Sequence, residues 1–182
     1  MKGFFRTIVE TVEIFLIALA IVIPIRYFLF QPFFVSGASM EPNFQSGEYL
    51  LIDEISYRFH EPERGEVVVF HYPKDPSNFF IKRIIGLPGE TVEIKDGLIK
   101  IYNLNFPEGK VLKEPYIEEI TPGNIKISLK KNEFFVLGDN RDHSSDSRSW
   151  GAVSREYITG RVWLSISSVK GIQFLASPNY QY

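Results

Sequence analysis

The chain has 182 residues, of which 45% are hydrophobic and 15% aromatic, and this is enough for one sizeable buried core with a small appended subdomain. Its formal net charge is only −2, and its lysines and arginines are scattered instead of clustered, which argues against a nucleic acid partner. It contains no cysteine and its three histidines lie in unrelated segments, so we expect no disulfide, no thiolate nucleophile, no metal site and no cofactor.

An apolar run extends from about Val12 to Phe30, and its stretch Ile14–Ile25 carries no charge. Its length approaches the roughly 20 residues that are needed to cross a bilayer. Two basic residues precede it, and this favours an amino terminus on the cytoplasmic side. We therefore predict a cytoplasmic stub and a single transmembrane helix in the plasma membrane over residues 1–31, followed by an extracytoplasmic domain over residues 32–182.

Two other interpretations of this apolar segment stay open. A cleaved signal peptide would also combine a basic start, an apolar core and small residues such as Ser36, Gly37 and Ala38, but the stretch Arg26–Val35 is long and aromatic for a cleavage region. A buried core helix would carry a single apolar stripe, whereas this segment is apolar on all faces.

Beyond Phe30, short β-branched and aromatic runs alternate with glycine, proline and asparagine, and no stretch keeps a helical period. We therefore predict a mostly β domain with an antiparallel, barrel-like sheet. The predicted strands are Phe33–Ser36, Tyr49–Ile52, Glu66–His71, Phe79–Ile85, Thr91–Ile94, Leu98–Tyr102, Glu133–Leu137 and Gly160–Ile166. Lys95, Asp96 and Gly97 between two alternating runs predict a hairpin. The less apolar residues 103–131 predict a small excursion from the main sheet.

The first motif with chemical content is Ser36–Pro42, which reads SGASMEP. Small residues around Ser39 would let a substrate backbone approach its hydroxyl closely, and Pro42 would help to fix the turn that follows. Taken alone, such a run is more typical of an ordinary glycine and serine loop.

The second motif is Phe79–Glu90, which reads FFIKRIIGLPGE. In a strand, Lys82 would share one face with Phe80 and Ile84, while Arg83 would point the other way. The lysine amine titrates near ~10.4 in water, and burial on an apolar face lowers its pKa by up to about 3 to 5 units, which would supply a neutral amine near neutral pH. An edge-strand lysine whose amine reaches solvent would fit this motif alone equally well.

The third motif is Gly138–Gly151, which reads GDNRDHSSDSRSWG. Its short hydrogen-bonding side chains predict a rigid polar loop that orients a base. The neighbours Asp142 and His143 suggest a Ser-His-Asp triad, but adjacent residues rarely point at one another, so a surface-loop histidine is favoured. The spacing of the acidic residues does not match a calcium-binding EF-hand loop.

Together these motifs, in this order and behind an amino-terminal apolar segment, resemble type I signal peptidase, a family of membrane-bound serine endopeptidases with a Ser-Lys dyad. The resemblance extends from the apolar segment to about Ser165. It rests on Ser39-Met40, on Lys82-Arg83 with Gly86–Gly89, on Gly138–Arg141 through Ser147-Arg148, and on Arg64–Phe70, which looks like a further strand of the family.

The resemblance implies that Ser39 is the nucleophile and Lys82 the general base. It also implies that Ser144 hydrogen-bonds the amine of Lys82, and that Asp146 and Arg148 form an ion pair beneath the site.

One position departs from part of the family. Some members carry a serine hydroxyl two residues before the nucleophile as an oxyanion donor, and this chain has Gly37 there. The backbone N–H of Ser39 is then the expected donor, and a second one must come from elsewhere. The segment 103–131 is also a short version of an insertion that enlarges some members.

The substrate would lie extended, as an added strand beside Phe33–Gly37. The family implies small residues at the first and third positions before the cut, as in Ala-X-Ala. The partners implied are signal peptides of exported pre-proteins and the lipid bilayer. Trp163, with Leu164 and Ile166, would help to rest the domain on the bilayer, and a core position for Trp163 is a nearly equal alternative. The expected substrate-binding residues are Phe33, Val35, Met40, Phe80 and Ile81.

Two other functions stay open from the sequence. A self-cleaving repressor-type peptidase also pairs serine with lysine on a β fold, but it would need a DNA-binding domain where this chain has an apolar segment. A non-catalytic, membrane-anchored β module would bind peptides without turnover, and the joint presence of Ser39 and Lys82 argues against it.

Overall fold

A computed structural model of the chain describes residues 2–28, 30–176 and 180. It starts with a long helix, α1 (Lys2–Phe28), whose described side chains between Gly3 and Ala20 are exposed. The interpretation of this segment as a buried core helix is therefore wrong. Within the described part of the chain, no helix meets the length and apolarity required of a membrane span. Leu29, which belongs to the predicted apolar run, lies outside the described residues.

The rest of the described chain is mostly antiparallel β structure, as the sequence predicts. One sheet has the order β1-β2-β11-β3-β4-β9-β10, with β12 paired to β11, and a second has the order β7-β6-β5-β8. The strands are β1 (Phe30–Phe34), β2 (Tyr49–Asp53), β3 (Val67–Tyr72), β4 (Asp75–Gly86), β5 (Thr91–Lys95), β6 (Leu98–Asn103), β7 (Phe106–Val111), β8 (Ile125–Ser128), β9 (Glu133–Leu137), β10 (Val153–Ser154), β11 (Ile158–Ser167) and β12 (Gly171–Phe174). A short helix, α2, spans Ser147–Trp150, and 3-10 turns span Ser56–Arg58 and Arg155–Tyr157.

The predicted hairpin is confirmed between β5 and β6, where Lys95 pairs with Leu98. Asp96 and Gly97 form the two-residue turn with φ values of 52° and 77°. Two consecutive positive φ values match the right-handed twist of the flanking strands, which is why an Asp-Gly pair suits this turn.

The first predicted strand, Phe33–Ser36, is displaced, because β1 ends at Phe34. Strands β7 and β8, which lie within the predicted excursion of residues 103–131, pair with β6 and β5 in the second sheet. These edge strands are mostly exposed or half-buried. Strand β7 lacks the apolar alternation on which the strand prediction relied. Strand β8 has it, since Ile125 and Ile127 alternate with Lys126 and Ser128 and pack against a core cluster, but its four residues were not predicted as a strand.

Strand β4 lies inside the main sheet, between β3 and β9. Its residue Lys82 pairs with Val68 of β3, and Arg83 pairs with Leu137 of β9. A strand that is hydrogen-bonded on both sides keeps its side chains in fixed directions. This position therefore gives Lys82 a rigid support.

Candidate active site

Ser39 lies in the loop between β1 and β2, which we call the serine loop (residues 35–48). Two of its side chains, Met40 and Phe44, are each only 1% exposed and pack in a core cluster with Leu50 and Ile52. A main-chain hydrogen bond of 2.9 Å from the N–H of Phe44 to the carbonyl of Met40 closes a tight turn between these two anchors. The apolar anchors fix the loop, while Ser39 itself stays partly exposed.

Lys82 is only 3% exposed, and its amine reaches the hydroxyl of Ser39. Its Nζ donates a hydrogen bond of 2.8 Å to the Ser39 Oγ and another of 2.8 Å to the carbonyl of Ile81. The prediction of a buried lysine on an apolar face of the strand is therefore confirmed. The alternative of an edge-strand lysine with a solvated amine is wrong.

Burial sets the protonation of this amine. Desolvation lowers the pKa of Lys82 from 10.5 to about 8, and the negative charges of Asp146 and Asp139 oppose part of this effect. A neutral amine is thus available close to physiological pH. A neutral amine within hydrogen-bond reach of a hydroxyl can act as its general base.

Arg83 points away from Lys82 and forms a buried ion pair with Asp139. Its Nε and Nη2 donate to the two carboxylate oxygens at 2.8 and 2.6 Å. The same carboxylate accepts a hydrogen bond of 2.9 Å from the Nδ2 of Asn43 in the serine loop. Asp139 therefore connects the strand of the base to the loop of the hydroxyl, a role that the sequence analysis missed.

The structure also contains the ion pair between Asp146 and Arg148. The Asp146 side chain is almost fully buried, accepts from the Arg148 Nη2 at 2.8 Å and caps α2 through the Arg148 N–H. It also accepts from the N–H of Gly138 at 3.1 Å. This carboxylate thus holds together two parts of the segment Gly138–Gly151, which carries the third motif.

Ser144 differs from what the resemblance implies. Its hydroxyl is buried but forms no hydrogen bond within the described part of the chain, and the Lys82 amine donates instead to Ser39 and Ile81. The expected bond between Ser144 and Lys82 is therefore not formed in this structure.

A cleft of about 360 Å³ opens beside Ser39 and Lys82. Four of the five expected substrate-binding residues line it: Phe33, Val35, Phe80 and Ile81. The fifth, Met40, does not, because its side chain is buried in the core as an anchor of the serine loop. Met40 as a pocket residue is thus a wrong prediction.

Gly37 lines the same cleft and has a φ of 99°, a backbone conformation that glycine adopts without strain. A Cβ at this position would meet open space, so the backbone conformation and not crowding favours glycine. With no side chain there, the position supplies no hydroxyl donor to the cleft.

Comparison with known proteins assigns the chain to a family. The family described as signal peptidase, peptidase S26, matches residues 8–166. The chain belongs to this family. A relative in Synechocystis named probable signal peptidase I-1 is 34% identical, and the match covers 83% of this chain and 78% of the relative. A second Synechocystis relative, named probable signal peptidase I-2, is 39% identical, and the match covers 87% of this chain and 72% of the relative. A crystal structure of a signal peptidase I from Enterococcus faecalis V583 is 30% identical with a TM-score of 0.49, and covers 57% of this chain and 97% of that chain.

Membership of the signal peptidase family makes the chain a serine endopeptidase, so the non-catalytic peptide-binding module is excluded. The Ser-His-Asp arrangement is not formed either. The Nδ1 of His143 lies 3.2 Å from the Oδ1 of Asn140, and the side chain of His143 is exposed.

His143 and Ser145 also line the cleft, and the sequence did not predict either of them as a cleft residue. Both belong to the third motif, and the density of short polar residues there was the available signal. That signal could not assign them, because which side chains of a loop face a cleft depends on how the loop folds back on the sheet.

Proposed function

We propose that this member of the signal peptidase family removes amino-terminal signal peptides from exported pre-proteins, with Ser39 as nucleophile and Lys82 as general base. The observation that carries the proposal is the 2.8 Å hydrogen bond between the Ser39 hydroxyl and a lysine amine that is almost fully buried. The lowered pKa of Lys82, about 8, supports it further, since the base must be neutral before it can accept a proton.

In the proposed first step, the amine of Lys82 takes the proton of the Ser39 hydroxyl while the Oγ attacks the scissile carbonyl carbon. The resulting oxyanion accepts a hydrogen bond from the Ser39 N–H, an interaction that contributes about 2.7 to 4 kcal/mol in comparable sites. The carbon–nitrogen bond then breaks, and the lysine ammonium gives its proton to the leaving amine. This leaves the signal peptide as an ester on Ser39.

In the second step, Lys82 takes a proton from a water molecule, whose oxygen attacks the ester carbonyl. The carbon–oxygen bond to Ser39 breaks, and the proton returns to the Ser39 oxygen. The products are the signal peptide with a free carboxylate and the restored hydroxyl.

The substrate would bind extended, next to residues 33–37, with alternate side chains facing the cleft. The walls contributed by Phe33, Val35, Phe80 and Ile81 are apolar, and two of the four are aromatic rings. Such walls favour apolar side chains such as alanine where the substrate faces the cleft, which agrees with the proposed Ala-X-Ala preference at the first and third positions before the cut.

We further propose that α1 anchors the enzyme in the plasma membrane, with the amino terminus cytoplasmic and the catalytic domain outside. The support is the uncharged stretch Ile14–Ile25 and the exposed apolar side chains along this helix, which include Ile14, Phe15 and Leu16. Exposed apolar surface of this kind is expected where lipid covers it.

The test is cleavage of a pre-protein with an Ala-X-Ala site by the full chain in detergent, with the products identified by mass. We expect that Ser39→Ala and Lys82→Met each abolish turnover, and that Lys131→Met, which changes an exposed lysine, does not. Undiminished turnover by either dyad variant would overturn the proposal. Flotation of the full chain with lipid vesicles, and its loss when residues 1–31 are deleted, tests the anchor.

A further inference from the structure

Asn140 binds the serine loop through both its main chain and its side chain. Its N–H donates to the carbonyl of Ser39 at 3.1 Å, and its Nδ2 donates to the carbonyl of Ala38 at 3.0 Å. Its Oδ1 accepts the N–H of His143 at 3.2 Å, which fixes the orientation of the side-chain amide because an oxygen must face that donor. Two consecutive carbonyls next to the reacting hydroxyl are therefore held by one residue.

The direction of the Ala38 carbonyl determines the direction of the Ser39 N–H. Both groups belong to the same trans peptide unit, which is planar, so they point to opposite sides of the chain. The Ala38 carbonyl is held on one side by Asn140 and by the N–H of Glu41, at 3.1 Å. The Ser39 N–H must then point to the other side.

The Ser39 N–H is available for a ligand. It donates to no acceptor within the part of the chain that the structure describes. Ala38 and Ser39 both line the cleft beside Lys82. An unused donor at the edge of the cleft, next to the nucleophilic oxygen, is suited to bind the oxygen of a tetrahedral intermediate.

The two residues that precede Asn140, Gly138 and Asp139, keep their segment in contact with the serine loop. A Cβ at Gly138 would lie 2.3 Å from the Ser39 carbonyl oxygen, so only glycine allows this close approach. Asp139 binds Asn43 of the serine loop at 2.9 Å. Three successive residues thus press against the serine loop, and this leaves the Asn140 side chain little freedom to release the Ala38 carbonyl.

We propose that Asn140 is a positioning residue, which aims the Ser39 N–H at the developing oxyanion by holding the carbonyl of Ala38. The proposal rests on the proposed function, in which Ser39 is the nucleophile. Because the oxyanion exists in the transition state and not in the bound substrate, loss of this positioning should lower kcat and leave KM nearly unchanged.

The decisive variant is Asn140→Asp, which has the same shape and keeps an acceptor for His143 but places a carboxylate oxygen against the carbonyl of Ala38. We expect kcat for pre-protein cleavage to fall by about 10- to 100-fold. This loss is smaller than the loss of kcat that follows complete removal of an oxyanion donor, because the Ser39 N–H is still present but is aimed less well. Asn140→Ala, which removes the donor without adding charge, should lose kcat in the same range. Asn105→Ala, in the exposed turn between β6 and β7, is the matched control and should keep full kcat.

A second measurement separates positioning from a general loss of structure. A signal-peptide aldehyde should bind as a hemiacetal, in which the Ser39 hydroxyl adds across the carbonyl and the former carbonyl oxygen faces the Ser39 N–H. The matched peptide amide cannot form this adduct. In Asn140→Asp we expect aldehyde affinity to fall by the same factor as kcat, while amide affinity stays within about twofold of the wild type.

Full kcat and full aldehyde affinity in both Asn140 variants would overturn this proposal, and so would equal losses of aldehyde and amide affinity. Either result leaves the proposed function standing as long as turnover still depends on Ser39. Turnover that survives Ser39→Ala would instead overturn the proposed function itself.

Discussion

The buried amine of Lys82 should make the stability of the enzyme depend on pH in a defined window. Burial lowers its pKa from 10.5 to about 8, so between these values the unfolded chain binds a proton that the folded chain has released. Stability therefore rises with pH across this window. At ~1.4 kcal/mol per pKa unit, the difference between 10.5 and about 8 corresponds to a gain of about 3 kcal/mol.

The assay is urea unfolding of the wild type and Lys82→Met in the same detergent at several pH values from 7 to 10.5. Methionine does not titrate, and the other ionisable groups are common to both proteins, so the difference in unfolding free energy isolates Lys82. Lys82→Met also loses the Nζ hydrogen bonds to Ser39 and Ile81. This loss adds a constant offset to the difference in unfolding free energy and leaves its dependence on pH unchanged.

Relative to Lys82→Met, the wild type should gain about 3 kcal/mol between pH 8 and 10.5 and gain little below pH 8. Lys131→Met, at an exposed position, should differ from the wild type by a nearly constant amount. If the difference for Lys82→Met changed by less than about 0.5 kcal/mol, which is within the range of ordinary surface substitutions, the amine would be solvated and the assignment of a neutral base would be refuted.

The remaining predictions concern catalysis. The kcat/KM should rise to a plateau above about pH 8 and be roughly tenfold lower at pH 7, because Lys82 must be neutral; a flat profile from pH 6 to 9 would contradict this. Asp146→Asn removes a charge that raises the pKa of Lys82, so the acid limb of the pH–rate profile should move to lower pH, and an upward move would argue against the electrostatic coupling. Gly138→Ala places a Cβ 2.3 Å from the Ser39 carbonyl oxygen and should lower kcat by about 10- to 100-fold through displacement of the nucleophile. Gly3→Ala, whose Cβ would meet no atom within 4 Å, should leave kcat unchanged.

Local patterns were enough to predict several parts of the structure. The alternation of β4 placed Lys82 and Arg83 on opposite faces, and the structure agrees, with Lys82 at Ser39 and Arg83 at Asp139. The Asp96-Gly97 pair likewise predicted the hairpin between β5 and β6, because these residue types favour the positive φ values of a two-residue turn. Each of these features depends on a few consecutive residues whose geometry is the same in many proteins.

Features that depend on neighbours distant in sequence were predicted poorly. Met40 follows the nucleophile and was expected in the pocket, but the loop turns its side chain into the core beside Phe44. Strand β7 carries little apolar pattern, and it forms by pairing with the edge of β6. The hydrogen bond from Asn140 to the carbonyl of Ala38 joins residues that are 102 positions apart, and no local sequence pattern predicts it.

A mostly β protein, a lysine on an apolar face and a small-residue loop around Ser39 could be predicted from local sequence, since strand alternation and turn preferences act over a few residues. That the lysine amine and the serine hydroxyl meet depends on the packing of the whole domain. Ser39 and Lys82 are 43 positions apart, and their 2.8 Å hydrogen bond depends on the core that anchors Met40 and Phe44 and on the Asp139 bridge between loop and strand. The lowered pKa has the same origin, because only the packed fold removes water from the amine.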